Sequence, residues 1–245
     1  MRRVEHAGGV RARWWILGAV AGSAAVAGAV SARAARRTPA AQPRPAERPD
    51  PGWATCSAPG ARAYEATFGR VLTGLYRAIA TDLATTRPGQ PGLHIVDIGA
   101  GPGGLAVALA EAFPDGRITT IDIDAGMASL AAARVAREGI DGRVRVSVGD
   151  VAALPLADHS VDLVTSSFSV HHWPDPAAGF TEVHRVLRPG GRAIIYDLPD
   201  WWGRFETRAP SLVEVAAAGG FTDIASSRLP WPGPFAVVHR IDATR

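Results

Sequence analysis

From about residue 61 onward, the hydrophobic positions switch repeatedly between two periods. Phe68, Val71, Leu72, Leu75, Ile79 and Leu83 recur at three and four residues, which predicts an amphipathic helix over 61–84, ended by Pro88-Gly89. Short apolar runs then alternate with helical patterns. Strands are predicted at 93–98 (LHIVDI), 117–123 (RITTIDI), 143–148 (RVRVSV), 161–168 (VDLVTSSF) and 192–198 (RAIIYDL). Helices are predicted at 103–112, 125–137 and 177–187, the last stopped by Pro189-Gly190-Gly191. A short helix near 211–218 and two closing strands near 221–228 and 235–241 complete the pattern. Continuous apolar strands separated by helices imply a mostly parallel, doubly wound α/β sheet covered on both faces.

The first 50 residues follow no such rhythm. Residues 14–30 (WWILGAVAGSAAVAGAV) form an uncharged apolar run flanked by arginines on both sides, within a basic tail over 1–37. Three readings stay open for it: a single membrane-anchoring helix outside the folded domain, a cleavable signal peptide with Ala32-Arg33-Ala34 as a loose site, and an over-extended start or disordered arm. Residues 38–52 are Pro-rich and polar and read as a linker, so the folded domain is expected over 53–245. If 14–30 spans a bilayer, the domain faces the cytoplasm; otherwise the chain is expected to be a soluble cytoplasmic protein.

Charge follows the same division. The chain has 26 basic and 23 acidic residues among 245, and every basic residue is arginine. Residues 1–50 carry a net +6 and residues 51–245 a net −3, so the domain's composition offers no case for nucleic-acid binding. The absence of lysine excludes Schiff-base and P-loop lysine chemistry, and the single Cys56 excludes a multi-thiolate metal site.

The candidate chemistry begins where the first strand runs into Asp97-Ile98-Gly99-Ala100-Gly101-Pro102-Gly103-Gly104. Gly99, Gly101 and Gly104 satisfy GxGxxG, and Asp122 ends the second strand, a pattern that by itself also fits an NAD-dependent oxidoreductase. Asp97 argues against a dinucleotide, because a carboxylate there would repel a pyrophosphate and attract an ammonium. Asp122 is placed to accept from a ribose diol, and Asp150, after the third strand, from an adenine amine. Three carboxylates at successive strand ends match the methionine, ribose and adenine parts of S-adenosylmethionine.

Segments 96–110, 118–127, 146–176 and 182–197 together resemble the successive motifs of class I S-adenosylmethionine-dependent methyltransferases, in particular the small-molecule type that includes ubiquinone/menaquinone-biosynthesis-like enzymes. The resemblance implies a Rossmann-like seven-stranded sheet ordered 3-2-1-4-5-7-6 with the last strand antiparallel. It implies that Asp97, Gly99, Ala100 and Gly101 line the methionine and ribose, with Gly103 permitting close backbone approach. It further implies Asp122 on the ribose, Ile123 and Met127 beside the adenosine, Asp150 and Val151 at the adenine edge, and Ser167 and Phe168 beneath the transferring methyl. Gly103, Gly104 and Asp150 also admit purely structural readings, as packing and turn residues.

For the acceptor, His171 and His172 are candidate bases, although a packing pair is the plainer reading; Trp173 is expected to pack beneath their loop. Asp197, Trp201 and Trp202 are candidate substrate residues, with Phe205 in the same loop. No Asn-Pro-Pro-Tyr or Asp-Pro-Pro-Tyr follows the fourth strand and no Pro-Cys nucleophile is present, so methylation of DNA bases is not expected. The expected activity is methyl transfer to a small, lipophilic or aromatic acceptor. The alternatives are an NAD-dependent oxidoreductase and a catalytically idle binding domain of the same fold.

Overall fold

The computed structural model describes residues 58–86, 90–197, 211–229, 231 and 238–245, with side chains of the first helix described from Leu72 onward. The chain divides into two units, Met1–Gly60 and Ala61–Arg245. The apolar run at 14–30 and the linker at 38–52 lie outside the described residues. Among the described residues, no helix is long and apolar enough to cross a membrane.

The elements in chain order are α1 (Ala58–Thr86), β1 (His94–Ile98), α2 (Gly104–Ala112), β2 (Arg117–Asp122), α3 (Ala125–Arg137), β3 (Val144–Val148), β4 (Val161–Ser167), α4 (Pro176–Val186), β5 (Leu187–Asp197), α5 (Leu212–Ala218), β6 (Asp223–Leu229) and β7 (Val238–Thr244). The seven strands form one sheet in the order β3-β2-β1-β4-β5-β7-β6. Strands β1 to β5 pair in parallel, and β7 runs antiparallel to both β5 and β6. This is the topology that the resemblance implies.

Burial on both faces explains why the central strands read as unbroken apolar runs. All five residues of β1 are buried. On one face Ile95, Ile118 and Leu163 meet Leu75, Ile79 and Leu83 of α1 and Leu105 and Leu109 of α2. On the other, Val96, Ile121 and Val164 meet Phe180 and Val183 of α4 and Val215 of α5. Helix starts follow the capping chemistry. The Asp124 side chain accepts from the Met127 N–H, Asp175 precedes Pro176 and accepts from Ala178, and Ser211 with Glu214 forms a capping box.

One expected boundary differs. Pro189-Gly190-Gly191 lies within β5 as a bulge: Val161 pairs with Leu187, but Leu163 pairs with Arg192. Gly190 adopts φ +74° there; α4 already ends at Val186, where Leu187 turns extended and enters β5, so the expected helix stop is instead a loop-out of the ladder.

A polar network fastens α1 to the antiparallel half of the sheet. The buried Tyr196 hydroxyl donates to Asp82 at 2.5 Å, and Arg240 bridges Asp82 at 2.7 Å and Asp242 at 2.9 Å. Arg192 closes the chain onto Asp242. Removing one ion from such a network strands its partners, whereas removing a hydroxyl loses one bond. Tyr196→Phe is therefore expected to cost about 1 kcal/mol and Arg240→Met about 3 kcal/mol, read as urea midpoints at unchanged m-value. Equal effects from the two variants would contradict this ranking.

Candidate active site

The ligand crevice of an open α/β sheet lies outside the carboxyl ends of the strands where the winding reverses. Here that point lies between β1 and β4, and the residues singled out from the sequence gather around it.

Asp97 sits one residue before the end of β1 and is 0% exposed. In the ladder it faces Thr120 of β2 on one side and Thr165 of β4 on the other. Thr120 donates a long bond of 3.4 Å to Asp97 Oδ2, while Asp97 Oδ1 and Thr165 Oγ1 are buried without a hydrogen-bond partner among the described residues. Burial pushes the Asp97 carboxyl up to about 7, and the neighbouring Asp122 adds to the rise. Asp122 is itself raised by burial, even though its oxygens accept from the Gly101 N–H at 2.7 Å and the Asp124 N–H at 2.9 Å. Two partly dehydrated carboxylates, one with an unsatisfied oxygen, favour a cation between or beside them.

The glycine loop follows from its contacts. Gly99 adopts φ +70°, and a Cβ there would lie 1.9 Å from Ser169 Oγ. Ser169 is held in that place by the Trp173 indole, which donates to it at 3.1 Å. The Gly99 and Ala100 N–H groups both donate to Ile121 carbonyl oxygen, at 2.8 and 3.2 Å, which pins the loop to β2. Gly101, at φ +52°, faces open space: nothing lies within 4 Å of its Cβ position. Gly103 does not; its Cβ position meets the backbone of Ala131 in α3 at 3.1 Å. Gly104 is likewise filled, by Tyr76 at 2.5 Å. Gly99 thus lets Ser169 pack against the loop, Gly101 leaves room at the crevice, and Gly103 and Gly104 let α3 and α1 approach.

Beyond β2, Ile123 is 56% exposed, and Val148 at the end of β3, opposite Asp122 in register, is 55% exposed. These are large apolar side chains left uncovered at the strand ends. Met127 is half-buried in the first turn of α3. Asp150 is exposed and accepts from the Ala152 N–H at 2.9 Å, capping a single 3-10 turn, Val151–Ala153, in which Val151 is buried.

At β4, Ser167 and Phe168 are half-buried, and Phe168 adopts φ +54° while donating its N–H to Tyr196 at 2.8 Å. A left-handed conformation in a non-glycine aromatic residue is strained and is retained only where its surroundings impose it. The turn that follows carries His171 and His172, whose rings lie 4.0 Å apart. His171 Nδ1 lies 2.7 Å from Oδ1 of Asp197, the buried last residue of β5, and the His171 backbone N–H donates to the other oxygen at 3.2 Å. A carboxylate at Nδ1 selects the tautomer with its proton there and leaves Nε2, on a side chain 43% exposed, with a free lone pair. Crowding by surrounding protein pushes His172 down to about 4, helped by His171, so it stays neutral near pH 7. Trp173 is buried and packs on Phe180, with ring centroids 5.8 Å apart.

Trp201, Trp202 and Phe205 lie outside the described residues. Three contributors escape the sequence reading: Thr120, Val148 and Ser169. Thr120 is legible only as a polar residue mid-strand, whereas Ser169 acts through a contact 70 residues distant in sequence from Gly99.

Asp97 carries a testable consequence for the fold. Because it is held at about 7 instead of 3.8, the folded chain binds this proton more tightly than the unfolded chain does. Stability therefore falls by about 4 kcal/mol as the pH rises from 4 through 7. Asp97→Asn does not titrate, so its advantage in urea midpoint should be largest at pH 8.5 and shrink toward pH 4. Parallel pH profiles for parent and variant would contradict this.

Comparison with known proteins agrees with this arrangement. A methyltransferase-domain family profile matches residues 96–195. The chain is 40% identical over 119 residues to a ubiquinone/menaquinone biosynthesis C-methyltransferase of Rubrivivax gelatinosus, covering 47% of this chain and 44% of that protein. It is 34% identical over 163 residues to a malonyl-[acyl-carrier protein] O-methyltransferase of Hahella chejuensis, covering 60% and 56% of the two. The chain thus spans about half the length of these curated relatives. A Methanococcus maripaludis structure, designated an S-adenosyl-L-methionine-dependent methyltransferase, superposes with a TM-score of 0.64 at 25% identity, covering 77% of this chain and 93% of that one. Strand order, glycine loop and matched motifs agree: residues 96–195 match the methyltransferase-domain family, and the sheet around them is similar to that of an S-adenosyl-L-methionine-dependent methyltransferase.

Proposed function

We propose that this chain transfers a methyl group from S-adenosylmethionine to a small-molecule acceptor whose reacting atom gives up a proton to His171. The cofactor part of this reading rests above all on Asp97: a fully buried carboxylate with an unpartnered oxygen, beside a second raised carboxylate, suits an ammonium and disfavours a pyrophosphate. The residues present therefore fit the cofactor. Asp97 would hold the amino group, and Gly99, Ala100 and Gly101 would admit the methionine portion. Asp122 retains lone pairs for ribose hydroxyls. Ile123 and Met127, with Val148, offer apolar surface for the adenine, and Asp150 with the Val151 N–H would meet its edge. Ser167 and Phe168 would border the transfer point. When bound, the cofactor supplies a methyl already activated on a sulfonium.

The protein's remaining work is alignment, exclusion of water and proton removal. The His171–Asp197 pair suits the last of these. Asp197 fixes the ring and stabilises the imidazolium, and Nε2 takes the proton that the acceptor loses. A hydroxyl or an acidic C–H is the acceptor type that needs this help. The two curated relatives named above methylate carbon and oxygen by their names; methylation at an acidic C–H fits such a base, whereas a malonyl carboxylate is already ionised and needs none.

The test uses the full-length chain with methyl-labelled S-adenosylmethionine and the small-molecule fraction of a cell extract. The label is expected in a low-mass product; label in none would contradict the reading. With the acceptor in hand, His171→Gln should lower kcat about 100-fold or more for an acceptor that is protonated at the working pH. Asp197→Asn should lower it less, and an acceptor already ionised should be methylated nearly equally by parent and variant. An unchanged kcat for His171→Gln with a protonated acceptor would remove the base from the mechanism.

A further inference from the structure

On the sheet face opposite the glycine loop's helices, the β2–β3 edge holds an open groove of about 400 Å³ that the methyl-transfer reading does not use. Strand alternation puts Arg117 and Thr119 of β2 with Arg145 and Ser147 of β3 on this face, while Ile118 and Val144 point into the core on the other. Arg145 pairs in register with Thr119, two residues along from Arg117. The two arginine Cα positions are therefore about 8 Å apart on a diagonal, close enough for long side chains to converge on one anion.

The groove is preformed. Its wall, the turn containing Pro155 and Leu156, is fastened by Arg185, which donates to the Leu154 carbonyl at 3.1 Å and the Leu156 carbonyl at 2.9 Å. Glu182 takes the Leu154 N–H at 2.9 Å. On the floor, the buried His94 is bonded through Nδ1 to the Ser160 carbonyl and through Nε2 to Thr119 Oγ1, each at 3.0 Å. Burial lowers the His94 pKa, so the floor is polar but uncharged near neutral pH.

The positive charge comes from the arginines alone. Other arginines around the sheet are held: Arg185, Arg188, Arg192 and Arg240 pair with carboxylates, and Arg143 binds backbone carbonyls. Arg117 and Arg145 are exposed and have no hydrogen bond or ion pair among the described residues. Two unpaired guanidiniums on one side and Pro155 and Leu156 on the other make the groove amphiphilic. Its volume lies in the range of small-molecule sites.

We propose that this groove binds a small organic anion, a phosphomonoester or carboxylate carried on an apolar or aromatic body. The guanidiniums take the anionic group and the Pro155–Leu156 wall takes the body. The site lies apart from the crevice that holds Asp97 and His171, yet the two share a segment: Pro155 packs on Gly149, one residue before Asp150.

Phenyl phosphate serves as the probe, titrated into the full-length chain by calorimetry at constant ionic strength. Saturable binding is expected, at least tenfold tighter than for inorganic phosphate or phenol alone. Arg117→Gln/Arg145→Gln should weaken it at least tenfold and leave S-adenosylhomocysteine binding unchanged, which shows that the variant is folded. Equal binding by parent and variant, or no saturable binding, would overturn the proposal. Binding of polyglutamate without binding of phenyl phosphate would also overturn it, assigning the arginines to a general electrostatic surface.

Discussion

A carboxylate with no exposed surface at the end of the central strand is the constraint on which the site depends. Asp97 lies in β1, which is buried along its whole length and sits where the winding reverses, so water cannot reach it. The only hydrogen bond to its carboxyl group among the described residues is the long one from Thr120, and Asp122 repels it. A folded chain carrying that cost gains most from a ligand that brings a positive charge to this point. The glycine loop follows from the same demand. With Gly99 pressed on Ser169 and Gly101 open, the backbone bends around the carboxylate and leaves space in front of it.

The topology then divides the labour among strands. The ends of β1, β2 and β3 carry Asp97, Asp122 with Ile123, and Val148 with Asp150: charge, hydrogen-bond acceptors and apolar surface in a row. The ends of β4 and β5 carry Phe168, His171 and Asp197, of which the last two are suited to moving a proton. Parallel strands put all of these on one rim, since each strand ends at the same edge of the sheet. The opposite face of β2 and β3 is free for other use, and it is there that Arg117 and Arg145 stand unpaired.

Much of the fold is legible in the chain because the strands are buried on both faces. LHIVDI and VDLVTSSF have no uniformly polar side to confuse their reading, and the helical periods at 125–137 and 177–187 fall within a residue of α3 and α4. The Pro189-Gly190-Gly191 turn misleads because glycine at positive φ serves a helix stop and a strand bulge equally well. The site is legible in its carboxylates, whose order along the chain follows the strand order. It is not legible in its pairings. That His171 meets Asp197 depends on β4 lying beside β5, and that Ser169 fills the space above Gly99 depends on β1 lying beside β4. Such contacts are tertiary, with no local periodicity to announce them. Gly103 and Gly104 show the converse: they belong to the motif, yet their missing side chains make room for Ala131 and Tyr76.

The central claim is that Asp97 is an uncompensated buried carboxylate awaiting the ammonium of the cofactor. Carbon-13 NMR of the aspartate side-chain carboxyls, with Asp97 assigned by its loss in Asp97→Asn, measures this directly. In the free protein its resonance should titrate near 7. With saturating S-adenosylhomocysteine, which keeps the amino group, the midpoint should fall by at least two pH units. A midpoint near 4 in the free protein, or one that cofactor leaves unmoved, would contradict the account.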